Sequence, residues 1–149
     1  MKFANLPDFL EYSDFTIESQ EGKHTVCKVL LSIAPEKTES FLSASEKRNK
    51  IEVSSDSGER IMNGIISAVD VNYGVTSTTA EVTITSESLL LQEKSEERIF
   101  QNPKKTYADI LKSFDDIEIG KCEHLKDIVE EIIYQYNIDD FSFLIYLAH

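Results

Sequence analysis

The chain has 149 residues, of which 41% are hydrophobic and 28% are charged, and its formal net charge is −12. This length is enough for one domain with a hydrophobic core, or for one domain and part of another. Such an acidic surface repels phosphate backbones and anionic membranes, which argues against nucleic-acid binding and against stable membrane association.

The sequence carries no run of about 18 apolar residues, so no transmembrane helix is predicted. Residues 1–7 lack the apolar segment and the cleavage site of a secretory signal, which favours a cytoplasmic protein. In that compartment Cys27 and Cys122 are interpreted as two reduced, buried thiols. Their spacing alone also allows a disulfide between them.

The first two thirds of the chain predict β-structure, because apolar and polar residues alternate along several short segments. The longest segment is apolar on both faces in its first half, and Gly64 inside it indicates a bulge or a close backbone approach. Pro35 is suited to open a helix over residues 36–47, with Phe41, Leu42 and Ala44 facing the core. The predicted strands lie at residues 15–18, 24–33, 50–54, 60–73 and 80–85.

These elements predict an α+β, mainly β fold: a small antiparallel twisted sheet or barrel with an inserted helix, followed by short helices. Thr106 and Asp109 resemble a capping box, with Asp in place of the usual Glu, at the start of a helix. Residues 115–131 hold seven acidic residues against two lysines and are predicted to form a solvated connector. Residues 132–136 suit a short strand. We predict a barrel-like domain over 1–104 and a helical connector with the start of a second domain over 105–149.

The last helix is predicted to begin at Asp139 and Asp140, because carboxylates favour the positive end of the helix dipole. Its core stripe is predicted to be Phe141, Leu144, Ile145 and Ala148, although nearly every side of the helix is apolar. The helix has no C-cap signal before the chain ends. We therefore expect that the chain is a piece of a longer protein, or that a partner covers this helix.

No catalytic constellation is recognised in the sequence, so we predict no enzyme activity, no cofactor and no metal. Cys122 and His124 could offer two zinc ligands, but no second ligand pair has the usual spacing. The adjacent carboxylates at 115–116 and 139–140 lack the separation that acid–base pairs need across a cleft. Tyr134 and Tyr136 could bind a ligand, which leaves open an alternative function as a small β-domain that binds a ligand or peptide.

Four stretches of sequence resemble the hub proteins of contractile injection systems, a family that includes phage late control protein D and the VgrG-type spike proteins. Each stretch is weakly specific by itself, and the order and spacing of the stretches carry the resemblance. Phe141 stands where the family has a tryptophan. The stretches are Arg60 to Ile66, Arg98-Ile99-Phe100-Gln101-Asn102, Thr106-Tyr107-Ala108-Asp109-Ile110, and Tyr134 to Leu144.

The resemblance implies a fold similar to the first barrel-like domain of the hub. It also implies a ring of three copies in the full-length protein, acting as a non-catalytic adaptor between the tail tube and the spike. The partners would then be further copies of the chain and the tail-tube and spike proteins, and the protein would stay cytoplasmic until assembled. The residues predicted to carry folding and assembly are Arg98, Phe100, Gln101, Tyr136, Phe141 and Leu144.

Overall fold

The computed structural model describes residues 1–7, 10–45, 48–74, 77–102, 104–114, 117, 120 and 122–148. The chain divides into two compact units, Met1–Leu89 and Leu90–His149. The domain boundary predicted between residues 104 and 105 stays a prediction. The boundary between the two compact units lies earlier in the chain, between Leu89 and Leu90. In the described part of the chain, no helix is long and apolar enough to cross a membrane.

The first unit is a curled, half-barrel sheet of antiparallel strands, so the predicted mainly β fold is confirmed. The strands are β1 (Lys2–Ala4), β2 (Glu11–Glu18), β3 (Val26–Ile33), β4 (Lys50–Ser54), β5 (Arg60–Tyr73) and β6 (Thr78–Ser86). Their order in the sheet is β1-β4-β5-β6-β3-β2. β1 was not predicted, because three residues are too few to show alternation; its pairing with β4 defines it.

The core of the first unit lies on one face of this sheet, where the period-2 pattern places the apolar side chains. Exposed and buried residues alternate along most of β3, and its buried Cys27, Val29 and Leu31 pair directly with Ile84, Val82 and Ala80 of β6. A 3-10 turn at Pro35–Lys37 leads into α1 (Thr38–Ser45), and Phe41 of α1 is fully buried, as predicted. The predicted helix end at 47 lies outside the described residues. The buried side chains of β3 and β6 are Cys27, Val29, Leu31, Ile33, Ala80, Val82 and Ile84.

Gly64 lies in β5 at a point where a neighbouring strand passes very close, which confirms the predicted close backbone approach. A Cβ added at this residue would lie 2.6 Å from the carbonyl oxygen of Thr85 and 2.7 Å from Cγ2 of Ile84. The first contact is with backbone in the pair of β5 with β6, so it cannot be relieved by a side-chain rotation. The register also shifts between Ile66 and Ala68, which is the signature of a β-bulge.

We expect Gly64→Ala to destabilise the first unit by about 1–3 kcal/mol, because the added methyl overpacks a strand pair that has no free volume. Urea unfolding followed by the amide signals of β5 and β6 would measure the loss. Gly120→Ala is the matched control, since nothing lies within 4 Å of its added Cβ. Equal urea midpoints for the two variants would contradict the steric argument.

The two edge strands of the sheet, β1 and β2, approach each other through aromatic side chains. The Phe3 ring lies 5.4 Å from the Tyr12 ring and 6.4 Å from the Phe15 ring, each in an edge-on arrangement. The Tyr12 hydroxyl donates a hydrogen bond of 2.9 Å to the carbonyl oxygen of Met1. These contacts form what we call the aromatic seam, and side chains rather than a strand ladder bring the two edges together.

The second unit contains a two-stranded antiparallel sheet and short helices. Residue Ile99 is paired with Tyr134 at the centre of the small sheet. Strand β8 (Ile133–Gln135) confirms the strand predicted at 132–136. The elements of this part of the chain are α2 (Leu89–Gln92), β7 (Arg98–Phe100), α3 (Tyr107–Leu111), β8 (Ile133–Gln135) and α4 (Asp140–Ala148), and the core consists of Phe100, Ile110, Phe114, Val129, Ile133 and Phe143.

The predicted capping box at the start of α3 is confirmed. The Thr106 hydroxyl oxygen accepts a hydrogen bond of 3.3 Å from the Asp109 amide, and Asp109 accepts one of 3.2 Å from the Thr106 amide. The Lys112 ammonium donates a hydrogen bond of 3.0 Å to the same carboxylate. The Lys112 side chain, the Thr106 amide and the Thr106 hydroxyl together lower the pKa of Asp109 to about 2.

Acidification should therefore weaken the second unit. Because the folded-state pKa of Asp109 lies below its ordinary value of 3.8, the stability it contributes is present above that value and is lost as pH falls towards about 2. An NMR titration of the Asp109 carboxyl group would show the low pKa directly. Lys112→Met should raise that pKa, whereas Lys104→Met removes the same charge elsewhere and should leave the titration unchanged. A titration with the ordinary midpoint would contradict the assignment.

The connector predicted over 115–131 is only partly solvated among its described residues. Ile128 forms an isolated antiparallel bridge with Thr106, and Val129 is buried in the core of the second unit. The composition of the segment favoured solvation because acidic residues outnumber the apolar ones. The structure shows that its second half hydrogen-bonds to residues 105–108 at the start of α3 and contributes Val129 to the core. The carboxylates at 115 and 116 lie outside the described residues.

Candidate functional site: a buried polar cluster and an exposed aromatic face

A buried polar cluster links β7, β8 and α4 of the second unit. The Arg98 guanidinium donates hydrogen bonds of 2.6 Å to Oδ1 of Asp140 and 2.5 Å to Oε1 of Gln135. The Gln135 amide in turn donates a 2.7 Å hydrogen bond to Asp140 and a 3.3 Å hydrogen bond to the carbonyl oxygen of Ile138. Gln135 is 1% exposed and Asp140 is 2% exposed, so these groups depend on one another for hydrogen bonds.

The Arg98 guanidinium is also held between a carboxylate and an aromatic ring. The Glu96 carboxylate lies 2.9 Å from the guanidinium on its exposed side. The central carbon of the guanidinium, Cζ of Arg98, lies 4.4 Å from the centre of the Phe114 ring. Phe143 stacks between Phe114 and Phe100, with ring centres 5.9 Å and 6.1 Å away. The ion pair therefore lies directly against the aromatic core of the unit.

The cluster is suited to a structural role. A buried ion pair is stable only where further hydrogen bonds satisfy its remaining polar atoms, and Gln135 and Glu96 satisfy them here. Asp140 occupies the first turn of α4, where a carboxylate also interacts favourably with the helix dipole. Its ion pair with Arg98 thus fixes both the position and the rotation of α4.

The core stripe predicted for α4 is wrong in its main residue. Phe143 is fully buried, whereas Phe141 is half-buried and Ala148 is exposed. Phe143 follows the buried Asp140 by three residues, and Leu144 and Leu147, which pack against the core, follow it by four and seven. Because the helix is apolar on nearly every side, the spacing of its residues does not show which face is buried. The buried Asp140, which pairs with Arg98, lies on that face and orients the helix.

The structure brings together only some of the residues predicted for folding and assembly. Arg98 and Phe100 belong to the polar cluster and the aromatic core, and Leu144 packs against that core. Gln101 and Tyr136 are exposed. Gln135 and Asp140 were not predicted, although a lone arginine in a short apolar strand signals that acceptors must lie nearby. The assembly role of the six residues predicted from the sequence stays a prediction.

Opposite the buried side of the small sheet lies an exposed apolar face, which we call the aromatic face. Ile99 is 62% exposed, Tyr134 is 57% exposed and Tyr136 is 70% exposed. Ile99 and Tyr134 are directly paired across β7 and β8. Exposed tyrosine and isoleucine side chains grouped in this way are typical of protein contact surfaces.

The cysteines are both free, and only one of them is buried as predicted. Burial raises the pKa of the Cys27 thiol to about 11, so this thiol stays protonated at neutral pH. Cys122 is exposed, which corrects the expectation of two buried thiols. His124 lies 2.8 Å from the Asp127 carboxylate. Within the described ranges, no group of three or more His, Cys, Asp or Glu residues could hold a metal ion.

Two open cavities flank α4 in the second unit. The larger, of about 870 Å³, is open and mainly polar. The smaller, of about 410 Å³, is more enclosed and more apolar. The smaller cavity is lined by Tyr107, Leu111, Cys122, His124, Leu125, Asp127, Leu144, Leu147 and Ala148.

The sequence matches no family model and no curated protein. The fold, in contrast, is of a known class, because it superposes on solved structures. One of them is the E. coli c3393 protein, a component of the type VI secretion system with structural similarity to T4 bacteriophage tail proteins gp27 and gp5. The superposition covers 97% of this chain with a TM-score of 0.65 at 18% sequence identity. This chain spans 41% of the length of that protein, and the likeness shows a shared, tail-hub-like fold.

Proposed function

We propose that this chain is a non-catalytic structural domain of a phage-tail-like contractile injection system, in a baseplate hub that joins the tail tube to the spike. The observation that carries the proposal is the superposition of nearly the whole chain on a type VI secretion component. In this role the protein stays cytoplasmic until it is assembled into a tail or injection particle.

The polar cluster supports the same proposal. Arg98 comes from one of the stretches that resemble the hub family, and Gln135 and Asp140 come from another, yet they meet at hydrogen-bonding distance. Their polar atoms are engaged with one another and with Glu96, which suits fold specification better than proton transfer. The family stretches therefore converge on a structural core.

The aromatic face is the surface that we propose for assembly. Its members are large and exposed: Ile99 and Tyr134 lie on the two-stranded sheet that the polar cluster holds in place, and Tyr136 directly follows that sheet. Burial of such side chains is the main source of binding energy at many protein interfaces. In the full-length protein this face would contact a further copy, as in a homotrimer, or a tail-tube or spike protein.

Affinity isolation of the full-length natural protein from its source, with mass spectrometry of the bound proteins, tests the proposal. Tail-tube, sheath or spike proteins are expected among them. The double variant Tyr134→Glu/Tyr136→Glu should lose these partners, because it places two charges on the aromatic face. Tyr73→Glu changes a tyrosine that is 68% exposed in the first unit and should retain them. Recovery of no tail component by the wild-type protein would overturn the proposal.

The alternative function, a small ligand-binding module, is favoured by one observation. The smaller cavity has a volume within the range of ligand sites and combines apolar walls with His124, Asp127 and Tyr107. A small-molecule fragment screen by NMR would test it. Saturable shifts confined to Leu111, Leu125 and Leu144, without recovery of tail proteins in the isolation, would favour the binding module over the hub.

A further inference from the structure

The larger cavity of the second unit is bounded along one side by the chain segment 126–131. Its lining also includes Tyr107 of α3 and Tyr146 and Leu147 of α4, and its volume is about 870 Å³. The cavity is open, and none of its lining residues belongs to the aromatic face. A groove of this size can hold a few residues of a bound polypeptide.

The backbone of this segment is paired on one side and open on the other. Ile128 forms an antiparallel bridge with Thr106. The hydrogen bonds of this bridge are made by the residues on either side, and the one from the Val129 amide to the Lys105 carbonyl oxygen measures 2.9 Å. The amide and carbonyl of Ile128 itself therefore point away from Thr106. Within the described residues neither group is in a hydrogen bond, so Ile128 offers a donor and an acceptor to an incoming strand.

The charged side chains of the segment favour a positive partner. Glu130 and Glu131 line the larger cavity and are exposed, and neither carboxylate forms an ion pair within the described part of the chain. Lys126 is the one basic residue in the lining, against three carboxylates. The third of these, Asp127, is already engaged by His124 at 2.8 Å. A cationic side chain placed beside Glu130 and Glu131 would be held by Coulomb attraction.

The last turn of α4 contributes an apolar surface to the same cavity. Tyr146 is 64% exposed, and the centre of its ring lies 6.3 Å from that of the fully buried Phe143. Leu147 packs against the core of the unit. The tyrosine ring is thus supported by the core and still has most of its surface open. Such a ring can receive an apolar side chain or the face of a guanidinium.

We propose that the larger cavity binds an extended, basic polypeptide segment of a partner protein. The backbone of that segment pairs with the amide and carbonyl of Ile128. An arginine of the segment lies beside Glu130 and Glu131, because a guanidinium binds carboxylates and also stacks on aromatic rings. An apolar neighbour of this arginine packs on Tyr146. A second copy of the chain is a poor occupant, since its net charge of −12 opposes approach to an acidic groove. The site is separate from the aromatic face and does not depend on its assembly role.

An NMR titration of the whole chain, isotope-labelled, with a capped peptide of sequence Ser-Val-Arg-Val-Arg-Val-Ser tests the site. Saturable shifts at Ile128, Glu130 and Tyr146, with slower exchange of the Ile128 amide, are expected. The same peptide N-methylated at two adjacent central residues keeps its charge and side chains but loses a donor on each edge of the strand. It should bind about tenfold more weakly. Equal binding of the two peptides, or no saturable shift at these residues, would overturn the proposal.

Charge reversal on the protein gives a second readout. Glu130→Lys/Glu131→Lys should weaken binding of the unmethylated peptide roughly tenfold, because attraction to its arginines becomes repulsion. Glu36→Lys/Glu39→Lys makes the same change in net charge on exposed residues before and within α1, and it should leave the affinity unchanged. Equal weakening by both variants would show attraction to net charge alone and would overturn the site.

The aromatic anchor and the choice of occupant are tested separately. Tyr146→Ala removes an exposed ring from the cavity and should weaken peptide binding several-fold, whereas Tyr73→Ala removes an exposed ring of the first unit and should not. Equal affinities for the two variants would overturn the assigned contact with α4. Concentration-dependent shifts at Ile128 without any peptide would show a second copy in the groove and would overturn the proposed occupant.

Discussion

Arg98→Met is expected to destabilise the second unit by about 3–5 kcal/mol, since it leaves the Asp140 carboxylate buried without its positive partner. Asp140 is 2% exposed, so water cannot replace the lost hydrogen bonds without opening the start of α4. A cost of this size is a large part of the stability of a small unit. Urea unfolding followed by the amide signals of Ile110 and Phe143 would measure it.

Two further variants separate the ion pair from general effects of the substitution. Arg60→Met removes an exposed arginine of β5 and should shift the urea midpoint little. The triple variant Arg98→Met/Gln135→Leu/Asp140→Leu should recover most of the lost stability, because it leaves none of the three buried polar groups without a partner. If Arg98→Met behaves as Arg60→Met does, the polar cluster does not hold α4 in place.

Phe143→Ala is expected to cost about 3–5 kcal/mol, which is the usual range for removing a buried aromatic ring. The ring is fully buried and stacks between Phe100 and Phe114, so its loss leaves a cavity that two flat side chains cannot fill. Urea unfolding of the second unit, read from the Ile110 amide, would give the value.

The neighbouring aromatic residues of α4 supply a graded control. Tyr146→Ala changes a side chain that is 64% exposed and should alter stability by less than about 1 kcal/mol. Phe141→Ala, at a half-buried position, should fall between the two. A larger effect for Phe141 than for Phe143 would restore the core stripe predicted from the sequence and contradict the structure.

The sheet of the first unit was predictable because alternation reports burial directly. Cys27, Val29 and Leu31 lie two residues apart, so a single pattern gives both the strand and its inward face. The close approach at Gly64 was also predictable, since glycine inside an apolar strand has few other causes. β1 could not be predicted, because its three residues become a strand only through β4, which is distant in sequence.

The polar cluster was predictable only in part. Arg98 and Phe100 stand out as a motif, but the partners Gln135 and Asp140 lie 37 and 42 residues away in sequence. Asp140 also has an adequate local explanation at the start of a helix, which conceals its contact with Arg98. A local pattern that already accounts for a residue gives no sign of a second, tertiary role.

The strand order of the first unit has a consequence for its synthesis. Val26 of β3 is paired with Thr85 of β6, and Lys2 of β1 is paired with Ser54 of β4. The ribosome therefore releases both early strands well before these partners exist, and the edge of β3 away from β2 stays unpaired until β6 has emerged. The β2–β3, β4–β5 and β5–β6 pairs each join strands that follow one another directly along the chain, and these pairs can form first. The nascent chain thus depends on its later half to protect its earlier half from aggregation.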